Sequence, residues 1–260
     1  MIRGVLLDLD GVVYNGDEPI RGAAAAVLRV RESGTPLLFV TNTTSRPRTA
    51  LCLKLADLGV RADPGEILTP PVAAAAWMRA RADGPAALFV PDPTLEDFEG
   101  LEAAPGGPPP RYVVVGDLGP AWTFARLNAA FRILHSNPRA ELVALGLTRY
   151  WQGPDGPNLD VAPFVAALEC AADRRATVIG KPSAEFFRQA AAILGVRPDR
   201  LLMVGDDLQS DALGARRAGL LGALVRTGKF RPSDLEGPER PDCVLDSVRD
   251  LPGLLAHGQH

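Results

Sequence analysis

The amino-acid sequence predicts an α/β protein built on a Rossmann-like, doubly wound parallel sheet, with a second α/β unit inserted into it. Three observations lead to this fold class. Short apolar runs alternate with helical stretches along the chain, which is typical of parallel strands covered by helices on both faces. Polar clusters end the runs in the first and last thirds of the chain, whereas the runs between them lack such clusters. The proline- and glycine-rich stretch 104–110 interrupts the middle segment and is predicted to be a loop.

The first third of the chain contains two strand–helix pairs. Apolar runs at 5–9 and 36–40 are predicted to be strands. The stretches 22–33 and 48–58 are predicted to be helices because Gly34 and Gly59 follow them, and glycine commonly ends a helix. Pro70 and Pro71 mark the predicted end of this segment.

The same alternation continues to the end of the chain. In the middle segment we expect helices at 72–81, 123–135 and 161–172 and strands at 87–90, 112–115 and 141–147. In the last segment we expect strands at 177–179, 201–204 and 222–225 and helices at 184–194, capped by Ser183, and 210–218. The predicted core is therefore residues 1–70 and 177–260, and the inserted unit is residues 71–176. One continuous sheet is the alternative that this pattern leaves open.

Composition limits the classes of partner. The net charge is −3 and 47% of residues are hydrophobic, so the chain can bury a sizeable core. Because no basic stripe is present, we expect no nucleic-acid binding. Three widely spaced cysteines indicate neither a disulfide framework nor a zinc site. No apolar run approaches the length of a membrane span and no signal peptide precedes the first strand, so we expect no membrane association and a cytoplasmic protein.

Two carboxylates, Asp8 and Asp10, end the first apolar run and are followed by Gly11. Side chains two residues apart point to the same side of an extended chain. Two like charges in one cleft need a proton or a cation, and an oxygen-only pair suits a hard ion such as Mg²⁺. The alternative is a strand that ends in an exposed, Asp-rich turn.

Other polar residues follow the remaining strands of the predicted core. Ligands of such sheets collect beyond the carboxyl ends of the strands, so we expect these side chains to gather there: Thr41, Asn42, Lys181, Asp206, Asp207 and Asp211. Carboxylates hold Mg²⁺, while an ammonium and small donors suit an anion with several oxygens, above all phosphate. The set therefore favours phosphoryl transfer with an Asp nucleophile. Taken singly, Lys181 could be a surface lysine, and the others could be turn or helix-cap residues.

Four motifs carry a family resemblance: DLDG at Asp8, VTNTT around Thr41, GKPS around Lys181 and GDDLQSD at Asp206. Their order and spacing resemble the phosphatases of the haloacid dehalogenase (HAD) superfamily, class IIA, in which an α/β C2-type cap domain is inserted into a HAD core. The segments GKPSAEFF, GDDLQSDALGARRAG and VRTGKFRPSD resemble the phospholysine phosphohistidine inorganic pyrophosphate phosphatase subgroup. Asp10 departs from that subgroup, where Ser is expected, and matches the wider superfamily.

The resemblance implies the roles of the carboxylates. Asp8 would be the nucleophile that forms an aspartyl-phosphate, and Asp10 would be the general acid and base. Mg²⁺ would be held by Asp8, by the backbone carbonyl of Asp10 and by Asp206.

The remaining motif residues would bind and support the phosphate. Thr41 and Asn42 would hold the phosphoryl oxygens, and Lys181 would neutralise nucleophile and phosphate. Asp207 and Asp211 would support Asp206 from outside the set of metal ligands.

The expected substrate is a small phosphorylated metabolite. Arg149 and Tyr150, in the inserted unit, are candidates for contacts with its leaving group, although an amphipathic strand end would explain them as well. By analogy with relatives, a homodimer through the cap is a further expectation. Two other functions stay open: a phosphotransferase or mutase that passes the phosphoryl group to another hydroxyl, and a receiver-like phospho-acceptor module. Asp10 disfavours the second, since an acid at that position promotes turnover.

Overall fold

The structure, a computed structural model, describes residues 1–153 and 155–257. Residue 154 of the predicted inserted unit and residues 258–260 of the predicted core lie outside the described residues. The strands are β1 Gly4–Asp8, β2 Tyr14–Asn15, β3 Glu18–Pro19, β4 Leu37–Val40, β5 Ile67–Leu68, β6 Ala86–Phe89, β7 Tyr112–Val115, β8 Glu141–Ala144, β9 Tyr150–Gly153, β10 Gly156–Leu159, β11 Thr177–Val178, β12 Leu201–Gly205, β13 Leu221–Val225 and β14 Cys243–Leu245. The helices are α1 Ala23–Glu32, α2 Arg48–Asp57, α3 Pro70–Arg81, α4 Phe124–Ser136, α5 Val161–Ala172, α6 Ala184–Leu194, α7 Leu213–Arg217 and α8 Leu251–His257.

The chain divides into two units, each formed by segments that are discontinuous in sequence. The first unit is Met1–Thr41, Arg48–Leu68 and Lys181–His260, and the second is Asn42–Pro47 and Thr69–Gly180. The first unit contains a six-stranded sheet in the order β14-β13-β12-β1-β4-β5. Every neighbouring pair in it is parallel. The predicted parallel α/β fold is therefore confirmed.

Helices cover both faces of the six-stranded sheet. Val5 and Leu7 of β1 belong to one apolar cluster with buried residues of α1, α2 and α8. Leu6, between them, points to the opposite face and is fully buried as well. Helix α6 contacts β4, and α7 contacts β13. Burial on both faces explains why these strands are uninterrupted apolar runs rather than alternating ones.

The second unit has its own parallel sheet, in the order β11-β8-β7-β6. Its core joins buried residues of β7 and β8 to those of α4 and α5, including Val113, Leu134, Leu142 and Val165. Strands β9 and β10 form an antiparallel hairpin. Among the helices of the described residues, none is long and apolar enough to cross a bilayer.

One detail of the predicted strand pattern is wrong. The run 177–179 is predicted as a core strand, but β11 pairs with β8 of the second unit. A short β-branched run indicates a strand without indicating its partner. Pro70 and Pro71, which mark the predicted end of the first segment, lie next to the division between Leu68 and Thr69. They begin α3, and the Thr69 side chain caps that helix by accepting from the Val72 backbone N–H. Proline suits this position because a first-turn N–H has no partner within the helix. The role of the second unit as a cap stays a prediction.

Candidate active site

Three of the predicted residues follow three adjacent strands of the six-stranded sheet. Asp8 is the last residue of β1, Asp206 follows β12, and Thr41 follows β4. Because these strands are parallel neighbours, their carboxyl ends lie at the same edge of the sheet. Asp8, Thr41 and Asp206 are all buried. Burial of polar groups at a strand edge needs partners or a ligand.

Lys181 forms the centre of a buried ion-pair network. Its Nζ lies 2.8 Å from Asp8 Oδ1 and 2.7 Å from Asp211 Oδ1. Only 2% of the Lys181 side chain is exposed, which excludes the surface-lysine alternative. Asp211 reaches this position from a π-helical turn, Leu208–Ala212, that precedes α7. Its other oxygen, Oδ2, accepts from the Asp207 backbone N–H at 3.2 Å.

The site carries more negative than positive charge. Burial raises the pKa of Asp206 to about 6 and that of Asp211 to about 6. Burial also raises the pKa of Asp8, although Lys181 opposes the shift. Burial alone would lower the pKa of Lys181, but Asp211 and Asp8 outweigh it and raise the value. One ammonium therefore faces three carboxylates, an arrangement that favours an additional cation.

The carboxylates fit a hard divalent ion. Asp8, Asp206 and Asp211 each offer an oxygen, and these atoms lie within 4.8 Å of one another. Asp206 Oδ1 is buried and has no hydrogen-bond partner among the described residues. Asp211 Oδ1 contacts Lys181 and Asp211 Oδ2 accepts from the Asp207 backbone N–H, so both of its oxygens have partners. Asp8 and Asp206 are therefore the carboxylates best placed to face a cation. An oxygen-only set of this kind suits Mg²⁺.

Asp10 differs from Asp8 in its surroundings. Asp8 is buried, whereas Asp10 is exposed. Asp10 Oδ1 accepts from the Gly16 backbone N–H at 3.3 Å, and its side chain is not part of the acidic cluster. The backbone turns sharply after it, because the Gly11 N–H donates to the Tyr14 carbonyl at 2.6 Å. Two carboxylates two residues apart thus lie in unlike environments, which suits different chemical roles.

A turn after β13, residues 227–229, contacts this site and is absent from the predicted residue set. Thr227 Oγ1 donates to the Gly11 carbonyl at 2.5 Å. The Lys229 backbone N–H donates to Asp206 Oδ2 at 2.7 Å, which leaves Asp206 Oδ1 for a ligand. A signal existed in the sequence: Thr-Gly-Lys follows an apolar run just as polar residues follow the strands bearing Asp8 and Asp206.

Gly11 and Gly228 allow the close approach of the Asp206 carboxylate. A Cβ at either position would overlap Asp206 Oδ2. Both residues also have positive φ, 79° at Gly11 and 63° at Gly228, which other residues adopt only with strain. Glycine is therefore required at both positions for Asp206 to lie where it does.

The other predicted residues have less direct placements. Asn42 directly follows Thr41 and belongs to the second unit. Asp207 Oδ1 accepts from the backbone N–H groups of Gln209 and Ser210, both at 3.0 Å, so Asp207 is the helix-cap residue of the alternative interpretation. Arg149 and Tyr150 are exposed in the second unit, Tyr150 at the start of β9.

Comparison with known proteins supports the family resemblance of the motifs that form this site. The profile of the haloacid dehalogenase-like hydrolase family matches residues 5–102, and a HAD-hydrolase-like profile matches residues 178–251. A phospholysine phosphohistidine inorganic pyrophosphate phosphatase from Xenopus laevis is 38% identical over 243 residues, which are 92% of this chain and 88% of that protein. The chain belongs to the haloacid dehalogenase-like hydrolases. Another member, human haloacid dehalogenase-like hydrolase domain-containing protein 2, is 38% identical and matches 98% of this chain and 95% of its own.

Solved structures of HAD hydrolases extend the agreement to the whole fold. The p-nitrophenyl phosphatase from Archaeoglobus fulgidus superposes with a TM-score of 0.88 at 26% identity, covering 97% of this chain and 99% of that chain. The resemblance to the class IIA HAD phosphatases is thereby confirmed, and so is the predicted HAD fold class. As a HAD hydrolase whose similar relatives are named phosphatases, the chain is a phosphatase.

Proposed function

We propose that the chain is a Mg²⁺-dependent phosphatase that hydrolyses phosphate monoesters of small metabolites, with phosphoramidates or pyrophosphate as variant substrates. The observation that supports this proposal best is the buried cluster in which carboxylate oxygens of Asp8, Asp206 and Asp211 lie within 4.8 Å of one another. Lys181 Nζ lies 2.8 Å from Asp8 in the same cluster. Mg²⁺, when bound there, would neutralise phosphoryl oxygens and reduce their repulsion of an anionic nucleophile.

In the proposed reaction Asp8 attacks phosphorus and forms an aspartyl-phosphate. The bond from phosphorus to the leaving oxygen breaks, and Asp10 donates a proton to that oxygen. Asp10 then takes a proton from water, which attacks phosphorus, so that inorganic phosphate leaves and Asp8 is restored. The burial of Asp8 and the exposure of Asp10 support this division of roles.

The remaining residues have proposed binding roles. Thr41 and Asn42 bind the phosphoryl oxygens, and Lys181 neutralises the negative charges of Asp8 and the phosphate. Arg149 and Tyr150 contact the leaving group. A homodimer formed through the second unit and a cytoplasmic location stay predictions.

The test is phosphate release from p-nitrophenyl phosphate, phosphoglycolate, pyridoxal phosphate, pyrophosphate and a phosphoramidate, with Mg²⁺ and with EDTA. We expect EDTA or Asp8→Asn to abolish turnover. We expect Asp10→Asn to slow turnover by about 10²–10⁴-fold, the range of a general acid or base, and to retain ³²P on the protein. Asp17→Asn is the matched control, because 95% of the Asp17 side chain is exposed.

Two results would contradict the proposal. Turnover by Asp8→Asn would show that Asp8 is not the nucleophile. Turnover that EDTA does not affect would show that the reaction needs no metal ion. Transfer of ³²P to an added alcohol in preference to water would indicate the phosphotransferase alternative.

A further inference from the structure

Lysine is rare in this chain, and each lysine has a specific setting. The sequence contains 25 arginines and three lysines, at positions 54, 181 and 229. Lys54 contacts the turn between β2 and β3, where its Nζ donates to the Gly16 carbonyl at 2.6 Å. Lys181 pairs with Asp8. The third lysine is Lys229. Although most basic residues of this chain are arginines, position 229 has a compact ammonium instead of a planar guanidinium.

Lys229 lines a cavity that opens beside Asp206. The cavity has a volume of about 310 Å³ and is formed by residues that follow β12 and β13, all within the first unit. Asp206, at its inner end, is also a member of the acidic cluster with Asp8. The cavity is therefore continuous with the residue proposed to hold the cation.

The acidic groups of this cavity already have partners. Asp206 Oδ2 accepts from the Lys229 backbone N–H at 2.7 Å. Asp207 Oδ1 caps the following helical turn at 3.0 Å. Asp234 Oδ2 accepts from the Arg231 backbone N–H at 2.8 Å.

The two cationic side chains, in contrast, are available to a ligand. Lys229 Nζ forms a long ion pair with Asp207 Oδ2 at 3.9 Å, which is beyond hydrogen-bond distance, and 68% of the Lys229 side chain is exposed. In the described part of the chain the Arg231 guanidinium pairs with no carboxylate, and the residue is exposed. Two cations thus share one cavity next to the phosphoryl site.

We propose that Lys229 and Arg231 form a subsite for a second anionic group of the substrate, a carboxylate or another phosphate. This inference rests on the proposed phosphatase function and narrows it to substrates that carry an anion besides the scissile phosphate. The ammonium and guanidinium would bind that anion through charge-assisted hydrogen bonds, which are stronger than neutral ones.

The test compares substrates with and without a second anion, each variant against wild type on both members of a pair. Phosphoglycolate carries a carboxylate, and 2-hydroxyethyl phosphate carries a hydroxyl in its place; pyrophosphate against methyl phosphate tests a second phosphate in the same way. For Lys229→Gln and Arg231→Gln we expect kcat/KM for the anionic member of at least one pair to fall at least tenfold more than for its neutral partner, mainly through KM. Lys229→Arg keeps the positive charge and should lose less of the preference than Lys229→Gln. Arg197→Gln is the control, since Arg197 is exposed and pairs only with Asp199 among the described residues.

A binding measurement separates this inference from the proposed function. Phosphonoacetate and methylphosphonate cannot be hydrolysed at a phosphate ester, and calorimetry gives their affinities without turnover. Tighter binding of phosphonoacetate that Lys229→Gln removes would support the subsite even if no substrate is hydrolysed. Equal losses on both members of each pair, or equal affinity of wild type for the two phosphonates, would overturn it.

Discussion

Replacement of Lys181 by Met tests whether the ion-pair network holds the core together as well as serving chemistry. The substitution keeps much of the side-chain volume and removes the ammonium. It leaves Asp8 and Asp211, both buried, without the cation that lies 2.8 and 2.7 Å from them. We expect a large loss of stability that depends on pH.

The magnitude follows from the burial of the pair. Removal of one partner of a buried ion pair costs about 3–5 kcal/mol. The variant can also respond by protonating a carboxylate. The pKa of Asp211 is about 6 while Lys181 lowers it and rises further without Lys181, so holding a proton on Asp211 at pH 8 costs at most about 3 kcal/mol at 1.36 kcal/mol per pH unit. The cheaper route sets the loss, so we expect a loss of about 3 kcal/mol at pH 8. At pH 5.5 protonation of these carboxylates costs little. The loss of stability should therefore be at least about 1.5 kcal/mol smaller at pH 5.5 than at pH 8, a difference that corresponds to roughly one pH unit of protonation cost.

The assay is urea unfolding in EDTA at pH 8.0 and 5.5, with unfolding of the first unit followed separately if two transitions appear. Lys229→Met is the matched control: it removes the same charge from a side chain that is 68% exposed, and we expect a change within about 0.5 kcal/mol. A loss below about 1 kcal/mol for Lys181→Met at pH 8.0, or an equal loss at both pH values, would refute the reasoning.

Two further predictions concern pH and the turn after β13. Asp206 and Asp211 have a pKa of about 6 in the fold against about 3.9 when unfolded, so the folded protein binds more protons between these values. The free energy of unfolding of the metal-free protein should therefore fall as pH rises from 4 to 7, by up to about 3 kcal/mol per group; urea titrations measure this, and an unchanged slope in Asp206→Asn would contradict it. Thr227→Val removes the donor to the Gly11 carbonyl and should weaken Mn²⁺ binding, followed by electron paramagnetic resonance, about three- to tenfold at ~1 kcal/mol per hydrogen bond. Thr227→Ser should restore it, and equal affinity in all three proteins would show that the turn does not position Asp206.

Strand adjacency made much of the site predictable. Asp8 and Asp206 follow apolar runs, and the rule that ligands collect at the carboxyl ends of parallel strands brings such residues together. The sequence could not reveal the contact of Lys181 with Asp211, because it depends on a π-helical turn that no residue pattern specifies. The same rule predicts that the turn at Thr227 lies at this edge of the sheet. It does not predict the hydrogen bond from the Lys229 backbone N–H to Asp206, because no side-chain pattern indicates a backbone contact.

The fold was predictable where elements are long and apolar. The ranges 112–115, 161–172 and 184–194 agree with β7, α5 and α6 to the residue. The hairpin β9–β10 was missed because Gln, Gly and Pro break any alternation of polar and apolar residues in it. The sequence does not indicate to which sheet β11 belongs, since only its tertiary pairing with β8 distinguishes the two sheets.

The scarcity of lysine makes the chain unusually easy to probe by chemical labelling. Apart from the terminal amine, acylating reagents have three targets, and the exposed fractions of their side chains are 16% for Lys54, 2% for Lys181 and 68% for Lys229. Lys229 should therefore react first, and its protection by a ligand would report occupancy beside Asp206 without any assay of turnover. Labelling at Lys181 would report opening of the buried network, so one mass spectrum can record ligand binding and local unfolding together.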